Sequence, residues 1–203
     1  MDVNERALKI INLLSKEYPQ AKTALHYRTP LDMLVATILS AQCTDKRVNI
    51  VTSTLFKKYK TAKDYANANI KTFEQEIRST GFYHNKAKNI IALGKKLTSD
   101  FDGKVPDSMD KLITLPGVAR KTANVVLHNA FHKDEGIAVD THVNRLSQRL
   151  GLSKNTDSNK IEGDLMEIVP KKYWGKFTYI VIEHGRKICQ AKKPNCPNCA
   201  VSR

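Results

Sequence analysis

No stretch of this chain stays apolar for the roughly 18 residues that a membrane-spanning helix needs. The opening residues, MDVNERALK, mix charges of both signs and lead into no apolar core, so they lack the order of a secretory signal. No membrane partner is expected. The chain should act where it is made: in the cytoplasm, nucleoid-associated in a cell without a nucleus, or in the nucleus otherwise. Cysteine is scarce, with four in 203 residues. Three of them, Cys189, Cys196 and Cys199, crowd the C-terminal end, and Cys43 stands alone. That distribution excludes a disulfide framework and points to metal in a reducing compartment. Acid is short as well: 20 Asp and Glu face 34 Lys and Arg, a net charge of +14. Such a surplus points to a polyanionic partner, with a merely solubilising surface as the plain alternative. Low-complexity tracts and internal repeats are absent.

What is present is helical spacing. The length allows one large or two small domains. Ala7, Ile10, Ile11 and Leu14 recur on one face before Tyr18-Pro19. Thr29-Pro30 reads as cap and first turn, with Leu31, Leu34, Val35, Ile38 and Leu39 as the buried stripe and Gln42 next along it. Thr44 or Asp45 opens a further helix, and two short ones follow up to Gly81. Residues 84–99 form a basic amphipathic helix with Ala87, Ile90, Ile91 and Leu97 inside and Lys86, Lys88, Lys95 and Lys96 outside. The run GIAV, 136–139, has no strand to pair with and reads as a buried connector. Asp140 or Thr141 caps the next helix, and two more follow, over 158–169 and 172–186. The fold class is all-α.

The segment LPGVARKTA, 115–123, organises the rest. A short helix ends near Leu115, Pro116-Gly117 turns the chain, and a second helix starts near Val118. Ala119 falls inside that helix and Lys121 one turn along it. The backbone N–H groups at such a start, with the positive end of the helix dipole, bind phosphate without reading bases. Gly117, Val118 and Ala119 are therefore candidate DNA-binding residues.

LPGVARKTANVV followed by IAVDTHVNR, with SAQCTD at 40–45, TGFYHNKA at 80–87 and the C-terminal cysteines, resembles the helix-hairpin-helix DNA glycosylases, and within them the endonuclease III family. The resemblance covers nearly the whole chain. It implies two helical domains with a DNA-binding cleft between them: residues 21–133, carrying the hairpin, and residues 1–20 joined to 134–203. It implies base-excision repair, in which an oxidised pyrimidine turns out of the duplex into the cleft. It implies a monomer acting on double-stranded DNA that holds a damaged pyrimidine or an abasic site.

Lys121 matches the family's nucleophile, whose amine attacks C1′, expels the base and leaves a Schiff base before β-elimination nicks the strand. The plain alternative is one more phosphate-binding lysine. Asp140 matches the catalytic carboxylate. It is also a helix cap, and a carboxylate accepting helix N–H groups suits charge stabilisation better than proton abstraction. Gln42 and Phe82 are candidates to fill the gap left by the turned-out nucleotide. Phe82 stands where the family commonly has an aliphatic residue, and a core position is its alternative. Ala119 stands where glycine is most frequent.

Cys189, Cys196 and Cys199 match three ligands of the family's 4Fe–4S cluster. The fourth would fall at position 205, beyond Arg203. A shortened chain, a protein without the cluster, or another ligand would each account for this, and the kept spacing favours the first. A zinc site completed by His184 is a poorer reading, since His184 lies on the apolar stripe of its helix. Lys192 and Lys193, between the first two cysteines, would face phosphates if the loop folds around metal, or solvent otherwise. Two rival functions are a mismatch glycosylase without strand cleavage, against which Lys121 argues, and a non-catalytic DNA-binding module.

Overall fold

Seven of the described helices open where the sequence supplies an oxygen. Asp2, Thr29, Thr44, Thr61, Asn69, Asp140 and Asp157 each precede a helix in extended conformation and accept hydrogen bonds from its first turn. In this computed structural model, residues 2–202 are described; Met1 and Arg203, the outer bounds of one expected domain, lie outside them. The helices are α1 (Val3–Glu17), α2 (Pro30–Leu39), α3 (Asp45–Lys58), α4 (Ala62–Ala66), α5 (Ile70–Ile77), α6 (Tyr83–Asp100), α7 (Met109–Leu112), α8 (Arg120–Phe131), α9 (Thr141–Arg149), α10 (Ser158–Ile168) and α11 (Trp174–Lys187). Among the described residues there is no strand, and no helix is long and apolar enough to cross a membrane.

The chain divides into two compact units, Ala24–Lys133 and Met1–Thr23 with Asp134–Arg203. The first is built around α2, whose residues from Leu31 to Leu39 are all buried. A helix buried on every side belongs inside a core, and α3, α6 and α8 pack around it. At Gly94 of α6 a Cβ would lie 2.6 Å from the Ala66 backbone nitrogen, so only glycine lets α6 approach α4 this closely. In the second unit, Ile10, Ile11 and Leu14 of α1 meet Val143 and Leu146 of α9, Ile161 and Leu165 of α10, and Phe177 and Ile180 of α11. Ile137 and Val139 of the GIAV run enter this core as a connector, and Thr178 donates to the Ala138 carbonyl at 3.2 Å.

Three local expectations are corrected. First, α2 stops at Leu39, so Gln42 is not on its stripe. The Ser40 and Ala41 N–H groups bond to the Ala36 and Ile38 carbonyls, the chain turns, and Gln42 takes a left-handed φ of 52°. Second, the hairpin helix begins at Arg120. The Val118 N–H is tied back to the Leu115 carbonyl at 3.1 Å, which closes the turn and leaves Ala119 as an extended residue before the helix. Lys121 is thus in the first turn, not one turn along. Third, Lys86 is not on the outer face of α6: it is 5% exposed. Its Nζ donates to the carbonyls of Leu39 and Thr80 at 2.8 and 2.9 Å, which satisfies a cation that water would otherwise claim.

Candidate active site

In the Ala24–Lys133 unit, the hairpin is held by its apolar residues. Leu112 and Leu115 are buried before the turn, and Val118 with Ala123, Val126 and Leu127 of α8 after it. Gly117 has φ +76°, and a Cβ there would press to 3.0 Å from Asn89 Cβ. Glycine is needed at this turn for both reasons. Ala119 has φ −98° and ψ 171° and no side-chain oxygen, so the first turn of α8 receives no cap from it. Gly117 and Ala119 are exposed; Val118 is buried and its N–H is taken by the Leu115 carbonyl, so of the three expected phosphate-binding residues it anchors the turn and offers no donor. Lys121 is exposed at this helix start. Asn124, on the same face one turn on, is buried, so the face that runs from Lys121 to His128 is not simply solvated.

Two tight loops of the same unit carry Gln42 and Phe82. Both are exposed and both are left-handed, with φ of 52° and 49°. Phe82 is 63% exposed, which excludes the core position for it. Sequence reasoning placed Lys86 in solvent, yet it links these two loops. The only sign of it in the sequence is its register one residue before the buried Ala87.

In the other unit, Asp140 begins α9. Its Oδ1 accepts the His142 and Val143 N–H groups at 2.9 and 2.8 Å, and the residue is half-buried. His142, next to it, is held below the ordinary histidine pKa by burial, with the Arg145 and Arg186 charges lowering it further and Asp140 opposing them.

Cys189, Cys196 and Cys199 line one cavity of about 350 Å³, together with Ile10, Arg6 and Arg149. Arg149 donates to Cys189 Sγ at 3.4 Å and to the Gln190 and Ala191 carbonyls at 2.8 Å. Arg145 donates to the Cys189 carbonyl at 2.9 Å. Sequence reasoning missed this cationic frame, although the spacing of Arg145 and Arg149 puts them on one face of α9. His184 is buried; its Nε2 lies 3.4 Å from Cys199 Sγ and its Nδ1 3.2 Å from the Tyr18 hydroxyl. Among the described residues no three His, Cys, Asp or Glu side chains group closely enough to hold a metal ion; the His184 ring meets Cys199 Sγ, while Cys189 meets His184 through the backbone, its N–H donating to the His184 carbonyl at 2.8 Å, which tells against the zinc reading. Three thiols that border one cavity beside Arg6 and Arg149 are the donor type that an iron–sulfur cluster takes. Cys43 belongs to the other unit. Lys192 and Lys193 are exposed on the loop between Cys189 and Cys196.

Residues 35–171 match the family described as "HhH-GPD superfamily base excision DNA repair protein". The chain is 53% identical to Endonuclease III of Synechocystis sp. over 98% of its own length and 90% of that protein's. Its fold matches a non-covalent Endonuclease III–DNA complex with a TM-score of 0.94 at 43% identity, covering 99% of this chain and 94% of that one. It matches a trapped covalent Endonuclease III–DNA intermediate with a TM-score of 0.93 at 44% identity, covering 98% and 93%.

Proposed function

This chain belongs to the HhH-GPD superfamily of base excision DNA repair proteins, and from that premise we propose that it is a bifunctional DNA glycosylase and abasic-site lyase. Its substrate is duplex DNA carrying an oxidised pyrimidine or an abasic site. The observation that carries the reading is Lys121, an exposed amine in the first turn of a helix whose N-terminus no side chain caps. The Val118 N–H is spent on the turn, so the Gly117 and Ala119 N–H groups, with the first turn of α8 and the dipole behind it, hold a phosphate, which brings the neighbouring sugar to the amine. The target nucleotide must leave the stack for C1′ to be reached.

Lys121 Nζ then attacks C1′. The C1′–N bond to the base breaks, and the base leaves with a proton. The sugar ring opens as the new C1′–Nζ bond becomes a Schiff base, with a proton passing to O4′. Loss of a C2′ proton expels the 3′ phosphate and nicks the strand. Asp140 supplies negative charge against the cation that develops at the sugar. Its Oδ1 accepts two N–H groups that hold the carboxylate in place; charge stabilisation is its first role and proton abstraction its second. Gln42 and Phe82 fill the space left in the duplex. Cys189, Cys196 and Cys199 would hold a 4Fe–4S cluster. When bound, it would cross-link the loop and keep Lys192 and Lys193 turned to phosphates. The protein acts as a monomer in this reading.

Two incubations test the reading, one with duplex containing an abasic site and one with duplex containing thymine glycol. Strand cleavage of both is the expected result. Base release without a nick would make it a monofunctional glycosylase, and neither reaction would leave a DNA-binding module.

A further inference from the structure

The buried lysine of α6 sits at an unusual junction. Leu39 is the last residue of α2, and its carbonyl has no continuing helix to bond it. The neighbouring carbonyls of Ala36, Thr37 and Ile38 are taken by Ser40 N–H, Ser40 Oγ and Ala41 N–H. Lys86 Nζ takes the Leu39 carbonyl instead. The same ammonium takes the carbonyl of Thr80, where the 3-10 turn Arg78–Thr80 ends. The Lys86 backbone N–H bonds to the Phe82 carbonyl at 3.1 Å. One residue therefore grips the chain three positions before Gln42, two positions before Phe82, and at Phe82 itself. Both gripped loops then turn through a left-handed residue that is not glycine, a conformation bulky L side chains rarely adopt, and both present that side chain outward. Burial draws the Lys86 amine below the ordinary lysine range, yet even its neutral form keeps the two N–H donors that the carbonyls require.

We infer that Lys86 is a positioning residue for strand separation: its side chain fastens the Gln42 loop to the Phe82 loop so that the two exposed side chains enter the duplex as one wedge. The inference rests on the proposed function, in which those side chains fill the gap. Without the fastening each loop would relax alone, and a displacement of about 1 Å in a positioned group costs on the order of a hundredfold in rate. The penalty applies only where a duplex has to be opened. A single-stranded abasic site needs no wedge.

The test compares strand cleavage at an abasic site in duplex and in a single-stranded oligonucleotide, for the full-length wild type and for Lys86→Met. The clamp predicts that the duplex-to-single-strand rate ratio falls at least about tenfold in the variant. An unchanged ratio, with both rates falling together, would mean a general loss of structure and overturn the inference. If Lys86→Met does not fold, Gln42→Ala, Phe82→Ala and the double variant test the same claim at exposed positions. Side chains acting as one wedge give a double variant within about twofold of the worse single one; losses that multiply overturn the clamp. Absence of cleavage by the wild type on either substrate would strike the proposed function itself and is distinguishable from both outcomes.

Discussion

α8 and α9 start from almost the same backbone. Ala119 before α8 has φ −98° and ψ 171°, and Asp140 before α9 has φ −95° and ψ −174°. Each start points first-turn N–H groups along the helix axis. At α9 a carboxylate occupies them, at 2.8 and 2.9 Å, and fixes a negative charge at a defined place. At α8 a methyl group occupies nothing, and the positive end of the dipole stays open to an anion from outside. The side chain, not the backbone, decides whether a helix N-terminus is filled from within or left for a phosphate. The first-turn residues follow the same division: exposed Lys121 at the open end, half-buried His142 beside the filled one.

The largest effect is expected at the open end. Lys121→Ala should lower strand cleavage at an abasic site by roughly 10⁴-fold, the scale on which removing a nucleophile acts, with duplex binding changed little. Single-turnover kinetics and a filter-binding assay separate the two. Next, at the filled end, Asp140→Asn keeps a capping oxygen, so thermal stability should hold within about 0.5 kcal/mol. The charge is lost, and base excision should fall by about 10²- to 10³-fold. A variant that keeps the full single-turnover rate would leave Asp140 as a cap alone. The comparison is sharpened by making α8 resemble α9. Ala119→Asp should add about 1 kcal/mol of stability, a rise in Tm of roughly 2–4 °C, while weakening duplex binding about tenfold by presenting a carboxylate to phosphate. Tighter binding would mean that phosphate does not use this helix start.

The smallest effect concerns pH. The His142 pKa is held below its ordinary value of 6.5, first by burial and then by Arg145 and Arg186. Below that value the unfolded chain binds a proton that the folded chain resists, so stability is lost as pH falls through this window. Thermal melts between about pH 7.5 and 5.5 should show the decline, and His142→Gln should make it shallower.

Local chemistry explains what the sequence reveals and what it hides. Thr29 was recognisable as a cap, and Thr44 and Asp140 each as one of two adjacent candidates, because a cap bonds to N–H groups two or three residues ahead. The stripe of α1 follows from spacing alone, while α2, expected to bury one stripe, is buried on every side from Leu31 to Leu39; GIAV was readable as a connector because nothing else in the chain would pair with it. The start of α8 was misplaced because Val118 is fixed by a turn bond backward to Leu115, a choice that spacing does not register. Lys86 was hidden for a deeper reason. Its partners are carbonyls 47 and 6 residues away, at ends of other elements, and only their assembly makes burial of a lysine tolerable. The cationic frame of Arg145 and Arg149 around the cysteine loop was missed likewise, since the bonds reach 40 or more residues along the chain.

The account depends most on one amine at the uncapped helix start. Borohydride reduction of the protein mixed with abasic-site duplex, followed by peptide mapping, reads it directly. The account predicts a single DNA adduct, on Lys121, that disappears in Lys121→Gln. An adduct on another amine, or one formed at wild-type yield by Lys121→Gln, would contradict it.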